Sequence, residues 1–330
     1  MQKHQPYRLS VAPMMDWTDR HCRYFHRLIT RQTLLYTEMI TAPALVRGNA
    51  RHLLRFDPLE HPVALQLGGS DPAELAQAAR MGADEGYDEI NLNVGCPSDR
   101  VQSGVFGAVL MKSPDVVARC AEAMIDAVDV PVTVKCRIGV DEQVPEVIVP
   151  EFLRHLTSAG VTRVAIHARM AWLDGLSPKE NRDIPPLNYD LVHAMKAEFP
   201  EITISVNGGI TELADASRFL TKGLDGVMIG RAAYSAPWDV LAAADPEIFG
   251  EPAPFETPID VVDAMRPYIE KHLSEGGRLH SITRHMLGLF TGRPGARVWR
   301  RTLSESVHRE DAGLGLIDDA LSAVSRQEAA

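Results

Sequence analysis

One short stretch of the sequence places a thiol where it could do chemistry. The apolar run over residues 90–94 ends at Gly95, and Cys96 follows directly, before Pro97 and Ser98. An unperturbed cysteine is mostly a neutral thiol at neutral pH, which suits a general acid, whereas a strongly lowered pKa would suit a nucleophile. Most free cysteines are instead small buried hydrophobes. The place of Cys96 in a turn after a strand favours a chemical role.

Polar residues also close several other strand-like runs. Successive side chains in a strand point to opposite faces, so a polar residue can lie opposite the aliphatic face. This alternation predicts one shared interior for Gln66, Asn93, Lys135, His167 and Asn207. Each alone has a simpler explanation as a satisfied structural polar group. Five convergent polar groups are typical of a cofactor site.

The elements that must position these residues alternate regularly. Strand-like runs occupy residues 8–12, 34–39, 63–67, 89–94, 132–135, 163–167, 202–206 and 226–229. Helix-like segments include residues 71–82, 113–127, 147–159, 189–198 and 212–221. Asp71-Pro72 and Ser113-Pro114 are typical of an N-cap followed by proline at the first helical position. Eight evenly spaced units predict an α/β fold, a (β/α)8 TIM barrel over residues 1–250, in preference to an open doubly wound sheet.

The last two strands are followed by residues that suit an anion. Asn207, Gly208 and Gly209 follow the seventh run, and Gly230 and Arg231 follow the eighth. Glycine lets backbone N–H groups approach an anion, and arginine adds a charged fork. Loops at these two strands are the common phosphate site of a TIM barrel. The pattern predicts a phosphorylated cofactor or substrate.

Composition narrows the class of protein. The chain has 330 residues, 45% hydrophobic and 24% charged, which is ordinary for a globular enzyme. No run approaches the roughly 20 apolar residues that cross a bilayer, and the N-terminus has no apolar signal core. The four cysteines lack metal-type spacing, so we expect reduced thiols and no metal site. We expect a cytoplasmic monomer that is not bound to a membrane.

Residues 251–330 change in character. They open with the proline-rich EPAPFETP, and residues 259–273 and 281–290 have helical periodicity, which predicts a small all-helical domain. The chain carries a net charge of -10, but residues 271–301 hold seven basic residues and one acidic residue, a local balance of +6. A local basic patch of this kind can bind nucleic-acid phosphates. The basic residues are Lys271, Arg278, Arg284, Arg293, Arg297, Arg300 and Arg301.

Several of these motifs together resemble the tRNA-dihydrouridine synthases. The matching segments are APMMDWTDR (12–20), LQLGGSDP (65–72), INLNVGCPSDRVQSGVFGAVLM (90–111), VTVKCRIG (132–139), IHAR (166–169), NGGI (207–210) and DGVMIGR (225–231). Two further segments are similar to the A subfamily in particular: WLDGLSPKENRDIPPL (172–187) and ITRHMLGLFTGRPGARVWRR (282–301). The resemblance implies an FMN-dependent barrel with a helical C-terminal domain. It also implies reduction of the 5,6 double bond of D-loop uridines in tRNA, at positions 20 and 20a, with NADPH as the electron source.

The resemblance also implies roles for individual residues. Hydride would pass from reduced flavin to uracil C6, and Cys96 would donate the proton to C5. Gln66 would bond the isoalloxazine edge, and Lys135 would lie near the flavin N1 and C2 carbonyl, where a cation stabilises the anionic reduced ring. His167 would contact the flavin and its phosphate tail. The remaining cofactor contacts would be Pro13, Met14 and Met15 at the ring, and Asn207, Gly208, Gly209, Gly230 and Arg231 at the ribityl chain and phosphate.

To reach a flavin inside the barrel, the target uridine would have to be extruded from its stacked loop into the pocket. We predict tRNA contacts from the interior, from the loop after the sixth strand and from the basic C-terminal segment: Asn93, Lys179, Arg182, Arg297 and Arg300. Three alternatives remain open at this point. They are an FMN barrel that reduces a free pyrimidine or an enone, a flavin-free phosphate-sugar isomerase or aldolase, and an RNA-folding chaperone on an old enzyme fold.

Overall fold

The chain forms a closed parallel β-barrel. The computed structural model describes residues 5–48, 50–97, 106–307 and 312–328. Within them, eight strands pair in sequence order, and the last strand pairs with the first. This arrangement confirms the TIM barrel and excludes the open sheet. The strands are β1 (Leu9–Val11), β2 (Leu34–Thr41), β3 (Val63–Gly68), β4 (Glu89–Val94), β5 (Val132–Arg137), β6 (Arg163–His167), β7 (Thr203–Asn207) and β8 (Gly226–Ile229).

Helices connect the strands, and two of them begin at the predicted prolines. Asp71 caps its helix, because its carboxylate accepts a hydrogen bond from Glu74 N at 2.9 Å and Pro72 takes the first turn. Ser113 occupies the equivalent position without a side-chain capping bond, since it also ends a preceding 3-10 helix. The connecting helices are α1 (Arg20–Ile29), α2 (Ala42–Val46), α3 (Pro72–Glu85), α4 (Pro114–Ile125), α5 (Pro145–Ser158), α6 (Tyr189–Glu198) and α7 (Leu213–Thr221).

The two faces of the strands differ in chemistry, as the alternation predicts. The aliphatic residues of the strands, such as Leu65, Leu92 and Val134, belong to the main buried core, which also contains the apolar residues of the surrounding helices. A separate small cluster contains Ala12, Leu34, Tyr36, Ala64, Ala165 and Met228. Two of its alanines, Ala64 and Ala165, share the inward parity of Gln66 and His167.

Some strand ends differ from the prediction, and one difference affects the site. β5 continues to Arg137, two residues beyond its predicted end, because Cys136 and Arg137 stay in register with Ile166 and His167 of β6. Arg137 therefore shares the inward parity of Lys135. β7 likewise includes Asn207, which pairs with Met228 of β8.

Helices follow the barrel to the end of the described residues. They are α8 (Arg231–Ser235), α9 (Pro237–Leu241), α10 (Pro258–Ser274), α11 (Leu279–Met286), α12 (Ala296–Glu305) and α13 (Leu314–Glu328). α11 ends earlier than predicted, at a turn where Gly288 packs so closely that an added Cβ would lie 2.4 Å from Ser235 O. The domain boundary at residue 250 stays a prediction. No helix in the described part of the chain is long and apolar enough to cross a membrane.

The C-terminal helices are tied to the loop that follows β1. Trp17 stacks on Tyr234 with 4.5 Å between ring centroids. Asp19 accepts a hydrogen bond from Arg284 at 2.5 Å and contacts His285 Nε2 at 3.0 Å. Burial opposes ionisation of Asp19, but the hydrogen bond and charge of His285, with further hydrogen bonds from Cys22 N and Arg284, hold its pKa well below the usual range. This ion cluster fixes α11 beside the mouth of the barrel.

Candidate active site

The turn that carries Cys96 is held by the side chain of Asn93. Asn93 Oδ1 accepts hydrogen bonds from both Gly95 N and Cys96 N, each at 3.0 Å. Asn93 Nδ2 donates to Gln66 Oε1 at 2.7 Å, so the amide is fixed from both ends. The turn is therefore preorganised by a strand residue of the barrel interior. Ser98 and residues up to 105 of the same motif lie outside the described residues.

Cys96 differs from the other three cysteines in exposure. Cys96 is partly exposed, whereas Cys22, Cys120 and Cys136 are buried. Burial raises the pKa of Cys120 to about 11 and that of Cys136 to about 12. A buried thiol with a raised pKa is inert, so Cys96 is the cysteine placed for chemistry.

A chain of polar side chains runs through the barrel interior beneath Cys96. Gln66 Nε2 donates to Asn91 Oδ1 at 2.8 Å, and Asn91 Nδ2 donates to Thr133 Oγ1 at 2.8 Å. Thr133 then donates to Glu89, which also forms an ion pair with Arg163. Each amide orientation is fixed by the next group, so the Gln66 side chain is held in place before any ligand binds. Asn91 and Thr133 share the inward parity of Asn93 and Lys135, which is the sequence signal that could have found them.

Lys135 and His167 lie on adjacent strands of the same interior. Burial lowers the pKa of Lys135 to about 8, and the nearby charge of Arg137 adds to this effect. Burial and the cations around it lower the pKa of His167 well below its usual value, so the ring is neutral. Within the described residues Lys135 Nζ makes no hydrogen bond or ion pair, which leaves its ammonium available to a ligand.

Arg137 is a site residue that sequence reasoning missed. Its Nε donates to Gly95 O at 2.9 Å, beside Cys96. Its Nη1 donates to Met170 O at 2.7 Å and to Asn181 O at 3.0 Å. Arg137 therefore joins the Cys96 turn to the loop after β6. Arg137 lies two residues after Lys135 and so has the same inward parity, which would predict its placement if the predicted strand continued to residue 137.

The glycines after β7 leave space that only glycine provides. Gly208 has φ +104°, and an added Cβ would lie 2.5 Å from His167 Cδ2. Tyr189 donates to Gly208 O at 2.6 Å and holds this turn. Gly209 also has a positive φ, of +70°. The backbone of this loop can approach a ligand held beside His167.

The charges around these glycines fit a phosphate. Arg169 Nε is buried and has no hydrogen-bond partner in the described part of the chain, although its Nη1 donates to Pro185 O. Arg231 forms an exposed ion pair with Asp183 at 2.7 Å, so a phosphate would compete with Asp183 for it. An orphaned guanidinium nitrogen near an open glycine backbone is a donor set that an anionic group would satisfy. Arg169 is the last residue of the IHAR motif, and its place in that motif is the feature of the sequence that could have identified it as a site residue.

The loop after β1 completes the rim. Met14 N donates to Thr18 Oγ1 at 3.0 Å, and Thr18 Oγ1 donates to Met14 O at 3.2 Å. This turn leaves Met15 exposed over 53% of its surface, with Pro13 partly buried beside it. Gly230 faces the same loop, since an added Cβ would lie 3.8 Å from Met14 Sδ. The predicted residues of β1 and β8 are thus brought together.

The predicted tRNA contacts fall in three places. Asn93 is buried at 8% exposure, and its hydrogen bonds are those of the Cys96 turn. Lys179 and Arg182 are exposed on the loop after β6, and Arg297 and Arg300 are exposed on α12. All five assignments stay predictions.

The basic C-terminal segment offers fewer available charges than its sequence indicates. Arg284 is paired with Asp19, and Arg293 is paired with Asp239 at 2.7 Å. Arg297, Arg300 and Arg301 are exposed on α12, and none of them forms an ion pair with a described residue. On the other face of α12, Trp299 and Leu303 are buried. Three of the available positive charges therefore share one face of α12, and Lys271 and Arg278 are also exposed without an ion pair to a described residue.

The fold and site define a barrel enzyme with an interior built for a polar ligand at the carboxyl ends of its strands. The sequence model of the dihydrouridine synthase family (Dus) matches residues 10–326. The chain belongs to this family.

Curated relatives match along almost the whole chain. The tRNA-dihydrouridine(20/20a) synthase of Salmonella typhi is 55% identical over 320 residues, which cover 97% of this chain and 96% of that protein. The tRNA-dihydrouridine(20/20a) synthase of Escherichia coli K12 is 55% identical over 98% of this chain and 93% of that protein. Among solved structures, a 2-naphthoyl-CoA reductase complex has a TM-score of 0.54 at 12% identity, over 74% of this chain and 50% of that one. That structure supports the fold alone.

Proposed function

We propose that this protein reduces uridines 20 and 20a of tRNA to 5,6-dihydrouridine, with FMN as its cofactor and NADPH as the electron source. The observation that carries the proposal is the fixed, partly exposed Cys96 above a preorganised polar interior. Full-length identity of 55% to tRNA-dihydrouridine(20/20a) synthases supports the substrate and the two positions.

The residues of this chain would hold FMN from three sides. Gln66 would bond the edge of the isoalloxazine ring, and Lys135 would place its ammonium at the N1 and C2 carbonyl side. His167, Asn207, Gly208, Gly209, Gly230 and Arg231 would hold the ribityl chain and phosphate, with Arg169 as an added donor. Bound FMN supplies a hydride to uracil C6 after reduction by NADPH.

Cys96 donates the proton to uracil C5 in this proposal. A general acid must be protonated and within hydrogen-bond reach when the hydride arrives. Asn93 fixes the backbone of Cys96, and Arg137 fixes the carbonyl of Gly95. The backbone that carries the thiol is thus fixed by two residues of adjacent strands.

The RNA approaches the open carboxyl end of the barrel. Lys179 and Arg182 on the loop after β6 and Arg297 and Arg300 on α12 would bind phosphates, while the target uridine leaves its stack to enter the pocket. Binding of this kind reads RNA shape and backbone and weakens with salt. A chain with net charge -10 can bind RNA this way because the contacts are local.

Purified protein loaded with FMN and NADPH tests the proposal on tRNA that lacks dihydrouridine. We expect a yellow protein that forms dihydrouridine at positions 20 and 20a and leaves free uridine almost unchanged. Equal rates on free uridine would favour a reductase of free pyrimidines. A colourless protein that does not take up FMN would contradict the cofactor assignment. Flavin reduction without any change in tRNA would contradict the substrate.

A further inference from the structure

Trp172 is unlike the other tryptophans of this chain. Trp17 stacks on Tyr234, Trp238 packs against the core, and Trp299 is fully buried with its Nε1 bonded to Met286 O at 3.0 Å. Trp172 is 41% exposed. Its indole makes no hydrogen bond and no ring contact with any residue that the structure describes. A large aromatic surface is left available to a partner.

The backbone of Trp172 is held rigidly by hydrogen bonds, in contrast to its ring. Trp172 N donates to Asn181 Oδ1 at 2.7 Å, and Asn181 Nδ2 donates to Trp172 O at 2.8 Å. Asn181 is fully buried, so this pair is shielded from water. On either side, Ala171 N donates to Gly139 O at 3.0 Å and Leu173 N donates to Asp141 Oδ1 at 2.8 Å. An aromatic ring on a fixed backbone binds with little loss of conformational freedom.

The same contacts place Trp172 at the rim that carries Cys96. Arg137 donates to Asn181 O, to Met170 O and to Gly95 O. One guanidinium therefore connects the residue before Cys96 with the residue that clamps Trp172. The backbone of Trp172 therefore lies in the loop that Arg137 ties to the Cys96 turn.

Charge at this rim suits a polyanion. Lys179 and Arg182 are exposed on the same loop as Trp172 and form no ion pair with a described residue. Of the loop's acidic residues, Asp183 is paired with Arg231, and Glu180 accepts a hydrogen bond from Ser177 N at 2.8 Å. Asp174 remains exposed. Aromatic surface beside basic side chains is the combination that binds single-stranded nucleic acid, because every base has a face that can stack.

We infer that Trp172 is a stacking platform for an unpaired tRNA base next to the target uridine, and that it stabilises the RNA loop from which that uridine is extruded. The inference rests on the proposed function and extends it. Stacking substitutes for the neighbour that the base loses when the uridine leaves the helix stack. Trp172 is thus a substrate-binding residue that neither touches FMN nor transfers a proton.

The test compares Trp172→Ala and Trp172→Phe with Ile184→Ala, which removes another exposed apolar side chain of the same loop. We expect Trp172→Ala to weaken tRNA binding about 5- to 150-fold, the range of one base stack. Trp172→Phe should recover most of the affinity, and Ile184→Ala should change it less than about 3-fold. FMN affinity and the rate of flavin reduction by NADPH should stay at wild-type values in all three variants.

Abasic substitutions in the tRNA identify the stacked base. Each unpaired D-loop position is made abasic in turn, and binding is measured to wild-type protein and to Trp172→Ala. We expect one position next to the target uridine whose loss weakens binding to the wild type but not to the variant. The inference would be overturned if Trp172→Ala bound tRNA as tightly as the wild type. It would also be overturned if every abasic substitution weakened binding to the wild type and to Trp172→Ala by the same factor. Dihydrouridine formation by the wild type is measured separately, so its failure would count against the proposed function and not against stacking.

Discussion

The close approach of Gly208 to His167 allows us to predict how a substitution at Gly208 affects cofactor binding. An added Cβ at Gly208 would lie 2.5 Å from His167 Cδ2, 2.8 Å from His167 Nε2 and 3.2 Å from Leu187 Cδ2. The backbone at φ +104° adds strain for any residue with a Cβ. Gly208→Ala should therefore displace the His167 ring and close the space that we assign to the cofactor.

Gly223→Ala is the matched control. Gly223 has a similar φ of +96°, but an added Cβ would meet nothing within 4 Å. Backbone strain of about 1–2 kcal/mol is common to both variants. Overpacking adds about 1–3 kcal/mol at Gly208 alone. We therefore expect Gly208→Ala to be destabilised by about 2–5 kcal/mol and Gly223→Ala by about 1–2 kcal/mol.

Two assays separate packing from binding. Urea unfolding of the apo-protein reports the free energies of unfolding, and FMN fluorescence titration reports the dissociation constant. The overpacking between the added methyl group and His167 can also oppose FMN binding. If it costs about 1–3 kcal/mol more in the FMN-bound protein than in the apo-protein, Gly208→Ala binds FMN about 5- to 150-fold more weakly than Gly223→Ala. Equal stability of the two variants would refute the packing argument. A lower stability of Gly208→Ala with unchanged FMN affinity would refute the assignment of this loop to the cofactor.

Three further predictions concern charged groups. Arg137→Lys removes the guanidinium that donates hydrogen bonds to three backbone carbonyls, so the free energy of unfolding should fall by about 2–4 kcal/mol in urea unfolding. In single-turnover kinetics, the rate of dihydrouridine formation should fall by a larger factor than the affinity for FMN. Lys135 has a pKa of about 8, and an anionic reduced flavin would raise it, so reduction above pH 8 takes up an extra proton. The midpoint potential of bound FMN should therefore fall more steeply with pH above about 8 in the wild type than in Lys135→Arg, and parallel slopes would contradict this. Burial, with the charges of His285 and Arg27, lowers the pKa of His26 to about 3, so the unfolded chain binds a proton below pH 6.5 that the folded chain does not. The free energy of unfolding, measured in urea titrations, should therefore fall as the pH drops from 6.5 to 5. This fall should be smaller by about 2 kcal/mol in His26→Gln than in the wild type.

The barrel and much of its interior were predictable because they follow local periodicity. The alternation in β3, β4 and β5 predicts the inward placement of Gln66, Asn93 and Lys135 without any knowledge of strand pairing. The buried state of Cys136 follows from the same period. These predictions required only that aliphatic faces pack outward against helices.

The contacts between loops could not be predicted, because they join residues far apart in the chain. Asn181 forms hydrogen bonds with the backbone of Trp172 and accepts a hydrogen bond from Arg137. Nothing in the local sequence of the loop indicates either contact. The pairing of Arg284 with Asp19 likewise neutralises one of the seven basic residues that give residues 271–301 their local positive balance. Tertiary pairing decides which basic residues remain available to a ligand.

Cys96 is the residue on which the proposed reaction depends most directly. Wild-type protein, Cys96→Ala and Cys136→Ala would each be incubated with FMN, NADPH and tRNA lacking dihydrouridine, and dihydrouridine would be mapped at each nucleotide over time. We predict product at positions 20 and 20a with the wild type and with Cys136→Ala, whose thiol is buried in the outer core. Cys96→Ala should bind FMN and tRNA normally but form product at least about 100-fold more slowly, the lower limit for loss of a general acid. Product at a near wild-type rate from Cys96→Ala would contradict the central claim.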